Sequence, residues 1–243
     1  MDGRRIKALL LDLDDTLLIN DMEAFIPHYF RALYAYFEPL CPPGIFIEAL
    51  QAGTRAMFRN EGNNGTNEAV FERVFYSYAE LDPEVLGPRF ERFYREEFDK
   101  LGVHTAPDPC ARSLVALAFA QGYQVAIATQ PLFPRVAIEA RLRWAGVGVD
   151  EFAYDFISSY EEMMACKPHP RFFQTILDAL GRQPEECLMV GDSPTADMAA
   201  GQFGLRTFWV NRQGLRPPAG MHCDAQGELS DLITLLKGKF DAL

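Results

Sequence analysis

The chain has 243 residues, 49% of them hydrophobic and 23% charged, with a formal net charge of -11. That length can bury a full core, as one large domain or as a core carrying an insertion. The negative balance argues against a nucleic-acid polymer as partner, since nothing neutralises phosphates in series, and any anionic substrate must meet local positive charge.

The cysteines, Cys41, Cys110, Cys166, Cys187 and Cys223, are odd in number and form no CxxC pair. They predict reduced thiols and a cytoplasmic location rather than a disulfide or zinc framework. The start, Met1-Asp2-Gly3-Arg4-Arg5, leads into an apolar run too short for a signal peptide. No apolar stretch approaches the ~20 residues that span a membrane, so no membrane association is expected.

The first apolar run, Ile6 to Leu11, predicts a buried strand, yet it ends in Asp12-Leu13-Asp14-Asp15-Thr16. In extended backbone Asp12 and Asp14 would share a side. Two like charges about 4 Å apart cost roughly 4 kcal/mol at a moderate effective dielectric, so a cation or a held proton must accompany them. Asp12 reads either as a carboxylate nucleophile or as a solvated strand-end acid. Asp14 is placed to trade a proton with a leaving group and then with water. Asp15 suits a turn, and the Thr16 hydroxyl suits bracing it.

Residues 19–105 break the strand rhythm. Helical patterns cover Asp21–Phe37, Phe46–Arg59, Asn67–Tyr78 and Pro83–Leu101, punctuated by Pro39, Pro42-Pro43-Gly44, the polar tip Asn60–Asn67 and Asp82-Pro83. The simplest organisation is a helical domain inserted after the first strand, between core segments 1–18 and 106–243. Its aromatics supply a core of their own, and any surplus would line a pocket or a dimer face. Arg55, Arg59 and the Glu61–Asn67 tip read as solvated groups or as substrate contacts.

Beyond the insertion, strands are expected at Tyr123–Ala128, Tyr154–Ile157, Cys187–Val190 and Leu205–Val210, with helices at Pro109–Gln121, Arg135–Ala145 and Pro170–Leu180. This alternation predicts an α/β protein with a doubly wound parallel sheet, whose ligands gather beyond the carboxyl ends of the strands. The polar residues stand at those ends. Thr129, followed by Gln130-Pro131, could donate to a phosphoryl oxygen together with the Gln130 backbone N–H. Lys167, held before Pro168, suits a fixed cation; His169 reads as a polar residue opening the next helix. Asp192 in Gly191-Asp192-Ser193-Pro194 could complete a hard-oxygen site with Asp12, of a kind that suits magnesium. Ser193 and Pro194 predict the cap and first residue of a helix closing near Gly204, with Asp197 in its first turn, either supporting Lys167 or a metal-bound water, or only the helix dipole.

DxDxT at Asp12, a strand-end threonine at 129, a Lys-Pro at 167 and GDxxxxD from Gly191 to Asp197 occur in the order found in the haloacid dehalogenase-like hydrolases. The ordered set closely resembles that superfamily. The resemblance implies a Rossmann-like core with a helical cap inserted after the first motif. It also implies Asp12 as the nucleophile that forms an aspartyl-phosphate, Asp14 as general acid and base, and Thr129 and Lys167 as phosphate binders. Magnesium would be held by Asp12, the Asp14 carbonyl and Asp192. Dehalogenating members lack the second acid, so Asp14 favours phosphate-ester cleavage of a small metabolite over the alternatives of dehalogenase, phosphotransferase or inactive binding protein. Gln130 departs from the asparagine common there, which touches its side-chain role and not its N–H. The leaving group is open among sugar phosphates, nucleoside monophosphates and phosphoglycolate, and so is the choice between monomer and homodimer.

Overall fold

The computed structural model describes residues 6–38, 40–79 and 82–238. The start Met1–Arg5 and the punctuating Pro39 lie outside the described residues. Strand β1, Ala8–Leu11, is buried at every position, because it is paired in parallel on both sides. Its neighbours are the later strands at Gln124–Ile127 and Cys187–Gly191. A central parallel strand has apolar layers on both faces, which is why its sequence shows no alternation.

Strand β2, Leu18–Ile19, follows the acidic loop and pairs antiparallel with β3, Ala106–Pro107. Strands β4 (Gln124–Ile127), β5 (Phe156–Ile157), β6 (Cys187–Gly191), β7 (Arg206–Val210) and β8 (Ala225–Gly227) complete a six-stranded sheet in the order β5-β4-β1-β6-β7-β8, parallel throughout. The α/β class and the strands expected from the sequence are present. β8 was not expected, having too few apolar residues to register as a strand.

The two faces of β1 divide the core. Leu9 and Leu11 join Val125, Ile127 and Leu188 on one side, where α5 (Ala111–Ala120), α6 (Arg135–Trp144) and α8 (Leu229–Lys237) pack. Ala8 and Leu10 join Ala126 and Met189 on the other, under Phe172, Phe173 and Ile176 of α7, Pro170–Leu180. Helices on both faces make the sheet doubly wound.

Between β2 and β3 lie only helices among the described residues: α1 (Met22–Tyr34), α2 (Pro43–Phe58), α3 (Asn67–Ala79), α4 (Pro83–Glu96) and a 3-10 run, Phe98–His104. Asp21 caps α1 by accepting the Glu23 and Ala24 N–H groups, and Asp82 caps α4. The expected final helix to Leu101 instead tightens after Glu96. Fully buried rings form this region's core, including Phe46 edge-on to Phe75 at 5.8 Å and Phe93 against Phe98 at 6.1 Å.

The polar tip exposes Glu61, Asn63, Asn64 and Gly65, but its two ends are anchored. Asn60 and Asn67 are buried and joined by a 3.0 Å bond, and Asn67 reaches across to the Pro131 carbonyl at 3.2 Å. Its backbone N–H donates to Met163 O at 2.8 Å, and that of Glu68 to Tyr160 O at 2.9 Å. The start of α3 is thereby stapled to the loop that leads to Lys167.

Arg212, just past β7, ties the crossing point together. It holds Asp108 at 2.7 Å, and donates to the Thr16 carbonyl at 2.5 Å and to the Asp15 carbonyl. Removing one partner of such a part-buried pair strands the other, at a cost of about 3 kcal/mol. Arg212→Ala is expected to lower unfolding stability in urea by about that amount; a loss under ~0.5 kcal/mol would show that the clamp is idle.

Candidate active site

The acidic loop turns at Asp15, after an isolated bridge between Asp14 and Leu18. The N–H groups of Thr16, Leu17 and Leu18 all turn back to the Leu13 carbonyl, and Asp15 takes a left-handed conformation (φ 51°) that aspartate tolerates better than most residues. Asp12 and Asp14 therefore acquire different partners. Asp12 is buried at the end of β1, where Lys167 Nζ donates to its Oδ1 at 2.8 Å and Thr16 Oγ1 to its Oδ2 at 3.2 Å. The Thr16 hydroxyl thus serves Asp12 rather than the turn.

Asp14 receives Asn20 Nδ2 on Oδ1 at 2.7 Å and Arg141 Nη1 on Oδ2 at 2.5 Å. Neither Asn20 nor Arg141 stands out in a motif. Arg141 had one legible signal: it lies among the buried α6 residues Ala137, Ile138 and Leu142, where a charge is out of place unless paired. It is 1% exposed and stacks over Phe133 with its guanidinium carbon 4.5 Å from the ring centre.

Lys167 reaches Asp12 from the loop before α7. The Gln130 side chain grips that loop from both sides, accepting the Lys167 N–H and donating to its carbonyl, each at 3.0 Å. The Gln130 side chain, whose role the sequence left open, is thus engaged with the lysine backbone. Thr129 is buried at the end of β4, with its carbonyl accepting from Ser158 Oγ at 2.8 Å. His169 caps α7 through Nδ1.

Asp197 is the second partner of Lys167, at 2.5 Å from Oδ1, while its Oδ2 accepts the Ser193 N–H at 2.9 Å. Ser193 caps the segment as expected, its Oγ accepting the Ala196 N–H at 3.1 Å, and a helix closes at Gly204, but residues 194–197 form turns and the helix is a 3-10 run, Met198–Phe203. The physical reason is Asp197, whose carboxylate folds back under β6 instead of pointing outward from a first helical turn. A Cβ on Gly191 would overlap that carboxylate, so the backbone approach requires glycine. Asp192 is half-buried, with its carbonyl held by the Trp209 indole N–H at 2.7 Å.

Asp12, Asp192 and Asp197 each offer an oxygen within 4.8 Å of the others. Three carboxylates against one ammonium leave two negative charges, which a divalent cation matches. The like charges pressing on Asp12 are therefore Asp197 and Asp192, not its sequence neighbour Asp14. Burial pushes the Asp12 carboxyl well up, Lys167 opposes this, and Asp197 and Asp192 add to it. Asp192 is pushed up to about 7 by burial, then by Asp197 and Asp15. Burial alone would lower Lys167, but Asp12 and Asp197 hold it above the usual lysine range. The donor set of hard oxygens fits a magnesium-sized ion. Both oxygens of Asp197 are engaged, by Lys167 and the Ser193 N–H, as are both of Asp12, by Lys167 and Thr16.

Residues 6–203 match the sequence profile described as haloacid dehalogenase-like hydrolase. The chain belongs to the haloacid dehalogenase-like hydrolase family. A phosphoserine phosphatase of Thermus thermophilus is 32% identical to this family member over 87% of this chain and 91% of its own. The pyrophosphatase PpaX of Bacillus cereus is 27% identical over 85% of this chain and 84% of its own. Among solved structures, a 2-haloacid dehalogenase from Pseudomonas syringae superposes with a TM-score of 0.67 at 24% identity, covering 96% of this chain and 99% of that one. A phosphatase of the family from Thermococcus onnurineus gives 0.59 at 23%, with the same coverage. These two likenesses are of fold.

A carboxyl whose folded pKa lies above its ordinary 3.8 holds its proton better when folded. Its contribution to stability is lost as pH rises between the two values. The metal-free protein is accordingly expected to melt at falling temperature as pH is raised from about 4 to about 7, with Asp192→Asn flattening that slope. Melting curves in EDTA check it; a wild-type slope unchanged in the variant would count against Asp192 as its origin.

Proposed function

We propose that this hydrolase is a magnesium-dependent phosphomonoesterase of a small phosphorylated metabolite, working through an aspartyl-phosphate. The observation that carries the reading is the buried Lys167 bridging Asp12 and Asp197 at 2.8 and 2.5 Å, with Asp192 beside them. Residues 1–18 and 106–243 would form the catalytic core, and 19–105 a cap closing over it. The phosphatase names of two sequence relatives support the reaction class. They carry different leaving groups, serine and phosphate, so neither name settles this chain's substrate.

In this reading Lys167 and Thr129 bind the phosphoryl oxygens, and Asp12 attacks phosphorus in line with the leaving oxygen. Lys167 and Thr16 fix the plane of the Asp12 carboxylate beforehand, so little reorganisation is left for the reaction. Asp14 gives its proton to the departing alkoxide, which requires Asn20 or Arg141 to yield its place. Asp14 then takes a proton from the water that attacks phosphorus, releasing Asp12 and inorganic phosphate. Asp197 orients Lys167, and Gln130 fixes the loop that carries it. Asp12, Asp192 and the Asp14 carbonyl would hold magnesium, which when bound supplies positive charge to the phosphoryl oxygens. Asp14, absent from dehalogenating relatives, favours phosphate-ester cleavage over carbon–halogen cleavage.

Phosphate release from an aryl phosphate is expected to stop in EDTA and return with magnesium. In Asp12→Asn it is expected to fall by about a thousandfold or more. Halide release from a 2-haloacid without any phosphatase activity would overturn the reading.

A further inference from the structure

Between the helical insertion and the core lies a cavity of about 630 Å³, within the range of sites for organic ligands. It borders the Asp14 side of the site. Met22, on its wall, contacts Asn20 through sulfur at 3.3 Å, and Asn20 holds Asp14. Phe133, on another wall, carries the Arg141 that holds the second Asp14 oxygen. Asn20 and Arg141 thus stand between Asp14 and the cavity wall, one side chain deep on each path.

The walls combine two features. Nine aromatic rings line the cavity, among them Phe71, Tyr76, Phe90 and Tyr160. Four carboxylates line it as well, against the single cation Arg55. Glu161 is engaged, accepting the Arg135 N–H with both oxygens at 2.9 and 3.0 Å. Glu68, part-buried, and Glu72, exposed, stand one helical turn apart on α3 and meet no donor from the described residues. The charge of Arg141 is matched by Asp14 and does not offset them. Burial and then the charges of Glu161 and Glu72 push the Glu68 carboxyl up, so the group lacks a counter-charge. Glu68, Glu72 and Glu161 all press on Tyr160, which places them around one ring.

Aromatic faces and unpaired carboxylates together attract an organic cation and repel an anion. Resting on the phosphomonoesterase reading, we infer that the leaving group is a bulky apolar or ring-bearing alcohol or phenol carrying an ammonium group, which docks between the aromatic walls and Glu68 and Glu72. Sugar and nucleotide leaving groups lack that charge, and a second phosphate would be repelled.

The test compares tyramine O-phosphate with 4-ethylphenyl phosphate, two esters that differ by an ammonium group, using the magnesium-loaded full chain. The ammonium ester is expected to have at least about tenfold higher kcat/KM. In Glu68→Gln/Glu72→Gln that ratio is expected to fall towards one. Equal rates in the wild type, or a ratio untouched by the double variant, would overturn the inference while leaving the phosphatase reading intact. If neither ester is cleaved, the phosphatase reading is at fault. Calorimetric titration with tyramine and 4-ethylphenol then decides the cavity's preference without catalysis: about tenfold tighter tyramine binding upholds it, and equal binding refutes it.

Discussion

Lys167 carries its ammonium where almost no charge is stable alone, 4% exposed and between two buried carboxylates. Attraction at 2.8 Å is worth about 6 kcal/mol at an effective dielectric of ~20, of the same order as the cost of drying the ions. The balance holds only if lysine and both acids are fixed together. Much of the local architecture does that fixing. Gln130 clamps the lysine backbone, Gly191 lets the Asp197 carboxylate tuck under β6, and Thr16 completes Asp12.

The parallel sheet makes this triad possible by topology. β1 lies between β4 and β6, so the loops leaving all three strands converge at one edge. Asp12 follows β1, Thr129 and Gln130 follow β4, and Asp192 follows β6. Only Lys167 and Asp197 come from loops further along, and each is held back to the strand ends by hydrogen bonds. The insertion meets this edge through the start of α3, whose Asn67 is buried against the Pro131 carbonyl and the Cys166 thiol. The segment that follows β4 carries Thr129 and Gln130 to the charge centre and Leu132 and Phe133 to the cavity wall, and the same family fold could serve other chemistry with other cavity residues.

Much of this was legible beforehand. Apolar runs ending in Asp12, Thr129 and Asp192 marked the strands and where they end, because parallel strands need apolar residues on both faces and place polar ones where pairing stops. Proline and glycine punctuation located α7 and α3 to within a residue or so. Local patterns failed where a distant group decided the conformation. The segment after Ser193 carries helix-start residues, yet the pull of Lys167 on Asp197 turns it into loops and a 3-10 helix. Asn20 and Arg212 looked like ordinary polar residues, since their partners Asp14 and Asp108 lie in other parts of the chain.

The sequence by itself determined the α/β class and the family, and it marked Asp12, Lys167 and Asp192 as polar residues beyond strand ends, because strand periodicity and short ordered motifs are local properties of the chain. Only the tertiary structure decided how those charges pair. Asp12 answers to Lys167, Asp192 and Asp197, while Asp14 is drawn off to Asn20 and Arg141. It also decided that the surplus aromatics and glutamates of the insertion face a single cavity. Charge pairing and cavity shape depend on distances between segments far apart in the chain, which no local pattern encodes.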